Sequence, residues 1–123
     1  MGWTFRDDRP IWVQLTERLT LRIVSGDYAP GAALPAVRTL AAEAGVNPNT
    51  MQRAMAELEN QGLAESKRTA GRTVTENLEL IQEKRQMLAQ DRIQEFLRSM
   101  RALGYTDEQT KTMISQQQSE DRL

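Results

Sequence analysis

Asn49, Thr50, Gln52 and Arg53 crowd into five residues of the string GVNPNTMQRAMAELENQG, and their side chains are of the kinds that read base edges. Asn and Gln amides can pair bidentately with adenine, and an Arg guanidinium with guanine. The same residues also suit an ordinary polar helix surface. Which of Gln52 and Arg53 would reach a base stays open at this level. A second basic group follows within twenty residues, with Lys67, Arg68 and Arg72 around Gly71 and no acid from Ser66 to Thr75. Such charges suit phosphate neutralisation or minor-groove insertion, or else a solubilised hairpin edge.

The flanking pattern decides what must position these side chains. Asn47 followed by Pro48 is a cap followed by the favoured first helical residue. Capping is the first expected role of Asn47, with phosphate contact accompanying it. From there Met51, Ala54, Met55 and Leu58 recur at helical spacing to about residue 60, and Gly62 closes the element. A shorter helix is expected over 35–44, with Leu34, Val37, Leu40 and Ala41 inward, Arg38 and Thr39 outward, and Gly45 as its stop. Two short helices about a tight glycine break form a helix-turn-helix, whose second helix enters the major groove. Residues 63–67 and 72–75 read as two strands about Thr69-Ala70-Gly71, a wing-like hairpin.

Composition bounds the alternatives. The chain has 123 residues, a net charge of −1, and neither cysteine nor histidine. Disulfides, thiolate or imidazole metal sites and Cys or His nucleophile systems are thereby excluded. No phosphate loop, nucleophile elbow or spaced acid pair stands out; Asp7-Asp8 and Asp107-Glu108 are adjacent acids suited to solvent or a helix start. No catalytic residue, metal ligand or cofactor is expected. The absence of a long apolar run or leader gives the expectation of a cytoplasmic chain without membrane contact. Near-neutral charge counts for less than its distribution. Glu43, Glu57 and Glu59 are expected at the ends or far sides of their helices.

The remainder is helical in pattern. Residues 1–9 form an arm or short strand with Trp3 and Phe5 alternating. Residues 10–25 carry Ile11, Trp12, Leu15, Leu19, Ile23 and Val24 on one side, Gly26 stops them, and Pro30-Gly31 marks a turn. From residue 78 to 103 a long helix bears Leu78, Ile81, Leu88, Ile93, Phe96, Leu97, Met100 and Leu103. Gly104 breaks it, a capping box from Thr106 to Gln109 starts a last helix through Ile114, and the polar SQQQSEDRL end is expected to fray. So broad an apolar face on two helices needs the N-terminal domain or a second chain to cover it, and a second copy is the expected partner.

The string from Gly26 to Leu63 closely resembles the winged-helix signature of GntR-family transcription regulators, and VNPNT with the short helical tail resembles the YtrA-like branch. The resemblance implies a homodimer on a two-fold DNA operator, often a repressor of transporter operons, with no large effector domain. It also implies a backbone or base contact for Arg38. Two positions depart from the family pattern. Ala36 stands where a capping Ser is usual, and Gly71-Arg72-Thr73-Val74 has one glycine and no aromatic where the wing usually has a glycine pair before Thr-aromatic-Val.

The expected architecture is mainly α with a small β-hairpin wing. A winged helix-turn-helix domain over 1–76 precedes a helical dimerisation tail over 77–123. The expected function is sequence-specific transcription regulation with double-stranded DNA as partner. A protein-binding winged helix, and a repressor gated by an unidentified small molecule between the tail helices, are the alternatives.

Overall fold

The computed structural model describes residues 3–121, and side chains through residue 119. The element order is α1 (Ile11–Val24), α2 (Val37–Ala44), α3 (Pro48–Asn60), β1 (Ala64–Lys67), β2 (Gly71–Val74), α4 (Leu78–Ala102) and α5 (Asp107–Asp121). The helix-turn-helix and the hairpin thus appear where the pattern puts them. Two compact units result, Met1–Arg85 and Gln86–Leu123.

In the first unit α3 packs against both α1 and α2. Its stripe of Met51, Ala54, Met55 and Leu58 is at most 1% exposed. Leu15, Leu19 and Ile23 of α1 and Leu40 and Ala41 of α2 close the same core. The α2–α3 turn is tight because Gly45 takes a left-handed φ of 73°, a conformation that side chains with a Cβ resist. The Gly45 and Val46 amides donate to the carbonyls of Ala42 and Ala41, which gives partners to two acceptors at the end of α2. As the Ala36 departure implies, α2 starts on a residue with no side-chain cap.

The hairpin pairs antiparallel, Ala64 opposite Val74 through Lys67 opposite Gly71. It has a companion that the sequence pattern does not reveal. The Leu34 amide donates to the Arg72 carbonyl at 2.8 Å, the Val74 amide to Ala32 and the Gly31 amide to Val74, both at 2.9 Å. The segment after the Pro-Gly turn therefore lies along the outer edge of β2, with a bridge between Ala33 and Thr73.

The first unit extends past the boundary expected after Glu76. Ile81, grouped in the sequence reading with the dimerisation positions, is 4% exposed and belongs to this unit's core. The Arg85 guanidinium donates to the Val24 carbonyl at the end of α1, 2.8 Å away. Leu80 sits so close to Gly62 that a Cβ there would stand 3.1 Å from its methyl. The arm at the start is neither a strand nor a helix over its described residues. The Arg6 amide donates to Gln14 at 2.8 Å, and the Trp3 ring lies under Arg22 with 4.5 Å between centroid and guanidinium. Met1 and Gly2 of that arm lie outside the described residues.

In the second unit the capping box forms as expected. The Gln109 amide donates to the Thr106 hydroxyl and the Thr106 amide to the Gln109 side chain. Arg101 adds two bonds to the Asp107 carboxylate, at 2.9 and 2.8 Å. Helix α5 does not end at Ile114 but runs to Asp121. Residues 115–121 contain no Gly or Pro, and Gln and Glu propagate a helix once a cap has nucleated it. Arg122 and Leu123 of the expected frayed end lie outside the described residues.

The closed first core sets an expected stability cost. Leu58 is fully buried, so Leu58→Ala removes packed methyl groups and leaves a cavity. A loss of about 2–5 kcal/mol is expected by urea denaturation at unchanged m-value. A loss under about 1 kcal/mol would contradict this account of α3 packing.

Candidate nucleic-acid interface

Burial of one side of α3 leaves the opposite side at the surface. Asn49, Gln52 and Arg53 are exposed there and Thr50 is half-buried. The start of the helix is held by Asn47, whose side chain accepts a 2.7 Å bond from the Asn49 amide, as its capping role requires. Pro48 follows at the first helical position. Arg38, in the first turn of α2, is exposed.

The wing charges do not stand alike. Arg72 is a half-buried member of a network: its Nε donates to Glu59 at 2.6 Å and its Nη1 to Gln52 at 3.4 Å. The Ser66 hydroxyl donates to the same Glu59 oxygen at 2.6 Å. Lys67 pairs with Glu65 at 3.1 Å. Arg68 is exposed at the tip, beside Gly71, whose φ is 68°. Among the described residues, no carboxylate lies within ion-pair distance of Arg38, Arg53 or Arg68. Three of the basic side chains thus keep their charge unneutralised, while those of Lys67 and Arg72 are locally balanced.

Glu59 falls at the end of α3, as expected. It faces the wing and ties α3 to β1 and β2. The signal was available, since Glu59 follows Gln52 by seven residues and two helical turns return to the same side. Trp12 was also assigned only to the α1 core. It is half-buried, and its ring lies 4.1 Å from the Arg53 guanidinium. No local pattern announces that contact, because it depends on how α1 crosses α3.

The expected dimerisation residues divide between the units. Leu78 is exposed and Ile81 is buried, both in the first unit. In the second unit Ile93, Phe96 and Leu103 are 55%, 43% and 73% exposed, while Leu88, Leu97 and Met100 are half-buried. Met113 and Ile114 of α5 are exposed beside them. Phe96, Met100, Met113 and Ile114 line an open cleft of about 390 Å³ with no charged residue in its lining.

The Ser66 hydroxyl, and then the Arg72 guanidinium, hold the Glu59 carboxyl below its ordinary value. A carboxyl whose folded value is depressed contributes stability above its unfolded value and loses it as pH falls through the folded one. The wild-type chain is therefore expected to lose stability relative to Glu59→Gln as pH is lowered below the ordinary carboxylate range. Paired urea titrations at neutral and acid pH measure the difference. Parallel pH profiles for the two chains would show that the network carries no such stability.

Comparison with known proteins agrees with this geometry. Residues 13–74 match the family described as "Bacterial regulatory proteins, gntR family". The chain is 34% identical over 105 residues to the uncharacterized HTH-type transcriptional regulator YhcF of Bacillus subtilis, covering 85% of this chain and 87% of that protein. It is 38% identical over 72 residues to the HTH-type transcriptional repressor YtrA of the same organism, covering 58% of this chain and 55% of YtrA. A GntR family transcriptional regulator from Listeria monocytogenes superposes with a TM-score of 0.81 at 33% identity, over 91% of this chain and 98% of that one. The AraR DNA-binding domain in complex with operator ORX1 superposes with a TM-score of 0.53 at 27% identity, over 61% of this chain and 90% of that one. The family match across the helix-turn-helix and wing, together with a relative aligned over most of its length, places this chain in the GntR family of winged helix-turn-helix transcription regulators.

Proposed function

We propose that the chain is a homodimeric transcriptional repressor that binds an inverted-repeat DNA operator. The observation that carries this reading is the polarity of α3. One side is wholly buried, and the other offers Asn49, Gln52 and Arg53, while Arg38 of α2 and Arg68 of the wing are exposed as well. Gln52 and Arg53 are the base readers. Arg38 and Arg68 serve the phosphate backbone, Lys67 assists at the wing, and Asn47 fixes the helix start. Arg72, balanced by Glu59, braces the wing and carries less of the DNA contact than Arg68. Support for an operator comes from the AraR complex, and support for repression from the likeness to YtrA.

The homodimer rests on the second unit. Among the described residues of α4 and α5 within it, Thr110 is the buried side chain, while large apolar residues stay wet. Burying each such residue is worth about 1.5–3 kcal/mol, so several together can offset the cost of association. The interface is built from Leu88, Ile93, Phe96, Leu97, Met100 and Leu103 with Met113 and Ile114. Full-length chain is expected to sediment as a dimer at micromolar concentration. Phe96→Glu with Ile93→Glu is expected to give a monomer that keeps the first unit folded and binds DNA far more weakly. Dimeric sedimentation of that double variant would place the interface elsewhere.

DNA recognition is tested on duplexes enriched by the chain from a randomised library. Affinity is expected to fall linearly on logarithmic axes as salt rises, with a slope of about −0.9 per phosphate neutralised. Arg38→Ala and Arg68→Ala are each expected to lower binding across all sequences and to flatten that slope by about 1. Failure to enrich any duplex would refute the reading in favour of a protein-binding winged helix.

A further inference from the structure

Arg53 and Arg72 are both arginines on the same surface, and the fold holds them by opposite means. Arg72 meets a carboxylate, which neutralises its charge and occupies one of its donor edges. Arg53 meets an aromatic face, with its guanidinium carbon 4.1 Å from the Trp12 centroid. Among the described residues Arg53 donates no side-chain hydrogen bond and pairs with no carboxylate. An indole face attracts the cation through its quadrupole and engages the flat side of the guanidinium. It leaves the N–H groups at the rim unused and the full charge in place.

We propose that Trp12 is a positioning residue for DNA recognition: its ring holds the Arg53 guanidinium with the donor edge outward, as a preformed fork for the O6 and N7 acceptors of a guanine. The inference rests on α3 being the recognition helix. Trp12 belongs to α1, which lies outside the helix-turn-helix formed by α2 and α3. Arg53 is a long side chain that in solvent would sample many rotamers, and each of these must be frozen on binding. Stacking on a half-buried ring restricts them in the free protein. Base discrimination at one position thereby depends on a residue outside the helix-turn-helix.

A double-mutant cycle in the full chain tests this on duplexes enriched by the wild type from a randomised library. The variants are Trp12→Leu, Arg53→Ala, the two combined, Trp12→Phe and Arg53→Lys. Trp12→Leu is expected to weaken binding roughly 2- to 30-fold, the span of cation–π strengths expressed as affinity. It is also expected to lose preference for guanine at the same position as Arg53→Ala. The combined variant is expected to bind no more weakly than Arg53→Ala alone, since Trp12 acts through Arg53. Arg53→Lys keeps the charge without the planar fork, so it is expected to retain part of the affinity with a reduced guanine preference. Trp12→Phe keeps a weaker aromatic face, gives a smaller effect of the same sign, and decides the matter even where Trp12→Leu is unstable. Equal losses from Trp12→Leu with and without Arg53 would overturn the proposal and reduce Trp12 to packing, leaving α3 as the reader. Wild-type binding by Arg53→Ala would overturn it differently, because α3 would then not read DNA through Arg53 at all.

Discussion

Everything at the candidate interface depends on the burial of one stripe of α3. Met51, Ala54, Met55 and Leu58 leave this helix a single orientation between α1 and α2. Rotating it would place a methionine or leucine in water and a glutamine or arginine in the core. Both changes are unfavourable, and the polar one more so, because a buried unpaired guanidinium has nothing to replace its hydration. The outward direction of Gln52 and Arg53 is therefore a consequence of hydrophobic packing. Asn47 refines it by fixing where the first turn begins.

The second layer of control is electrostatic and lies at the end of α3 away from its cap. Glu59 gathers the Ser66 hydroxyl and the Arg72 guanidinium, and through Arg72 reaches Gln52. A guanidinium only donates, so the oxygen of the Gln52 amide faces Arg72 and its NH₂ group is left for other partners. The wing and the helix are thus joined by polar contacts as well as by the backbone at Gly62. With one wing glycine and no aromatic, the hairpin has little apolar material with which to hold its angle. This network supplies such a hold.

What could be read from the sequence follows the range of each interaction. The α3 cap, its stripe, the Gly45 turn and the Thr106 capping box are local, and the types and spacing of adjacent residues disclose them. The network at Glu59 was half visible through its spacing from Gln52. The stack of Arg53 on Trp12, the return of Arg85 to the Val24 carbonyl and the burial of Ile81 join residues far apart in the chain. Periodicity assigned Trp12 and Ile81 to apolar faces correctly, yet could not say which neighbour each face meets. The length of α5 was missed for another reason: a run of Gln, Ser and Glu has no apolar rhythm, and helix propensity without periodicity leaves no pattern to find.

The segment from Gly31 to Leu34 bears on more than the shape of the wing. A two-stranded sheet has two open edges, and each unpaired row of amides and carbonyls is a template for another chain. Here the β2 edge is occupied by the hydrogen bonds of Gly31, Ala32 and Leu34. The remaining β1 edge is only four residues long and carries Glu65 and Lys67, charges that disfavour stacking of identical strands. The homodimer proposed above, which would pair exposed apolar helices, gains from a wing that offers no adhesive edge of its own. Edge protection in the wing would let that proposed association close at two copies instead of running on into open-ended aggregates.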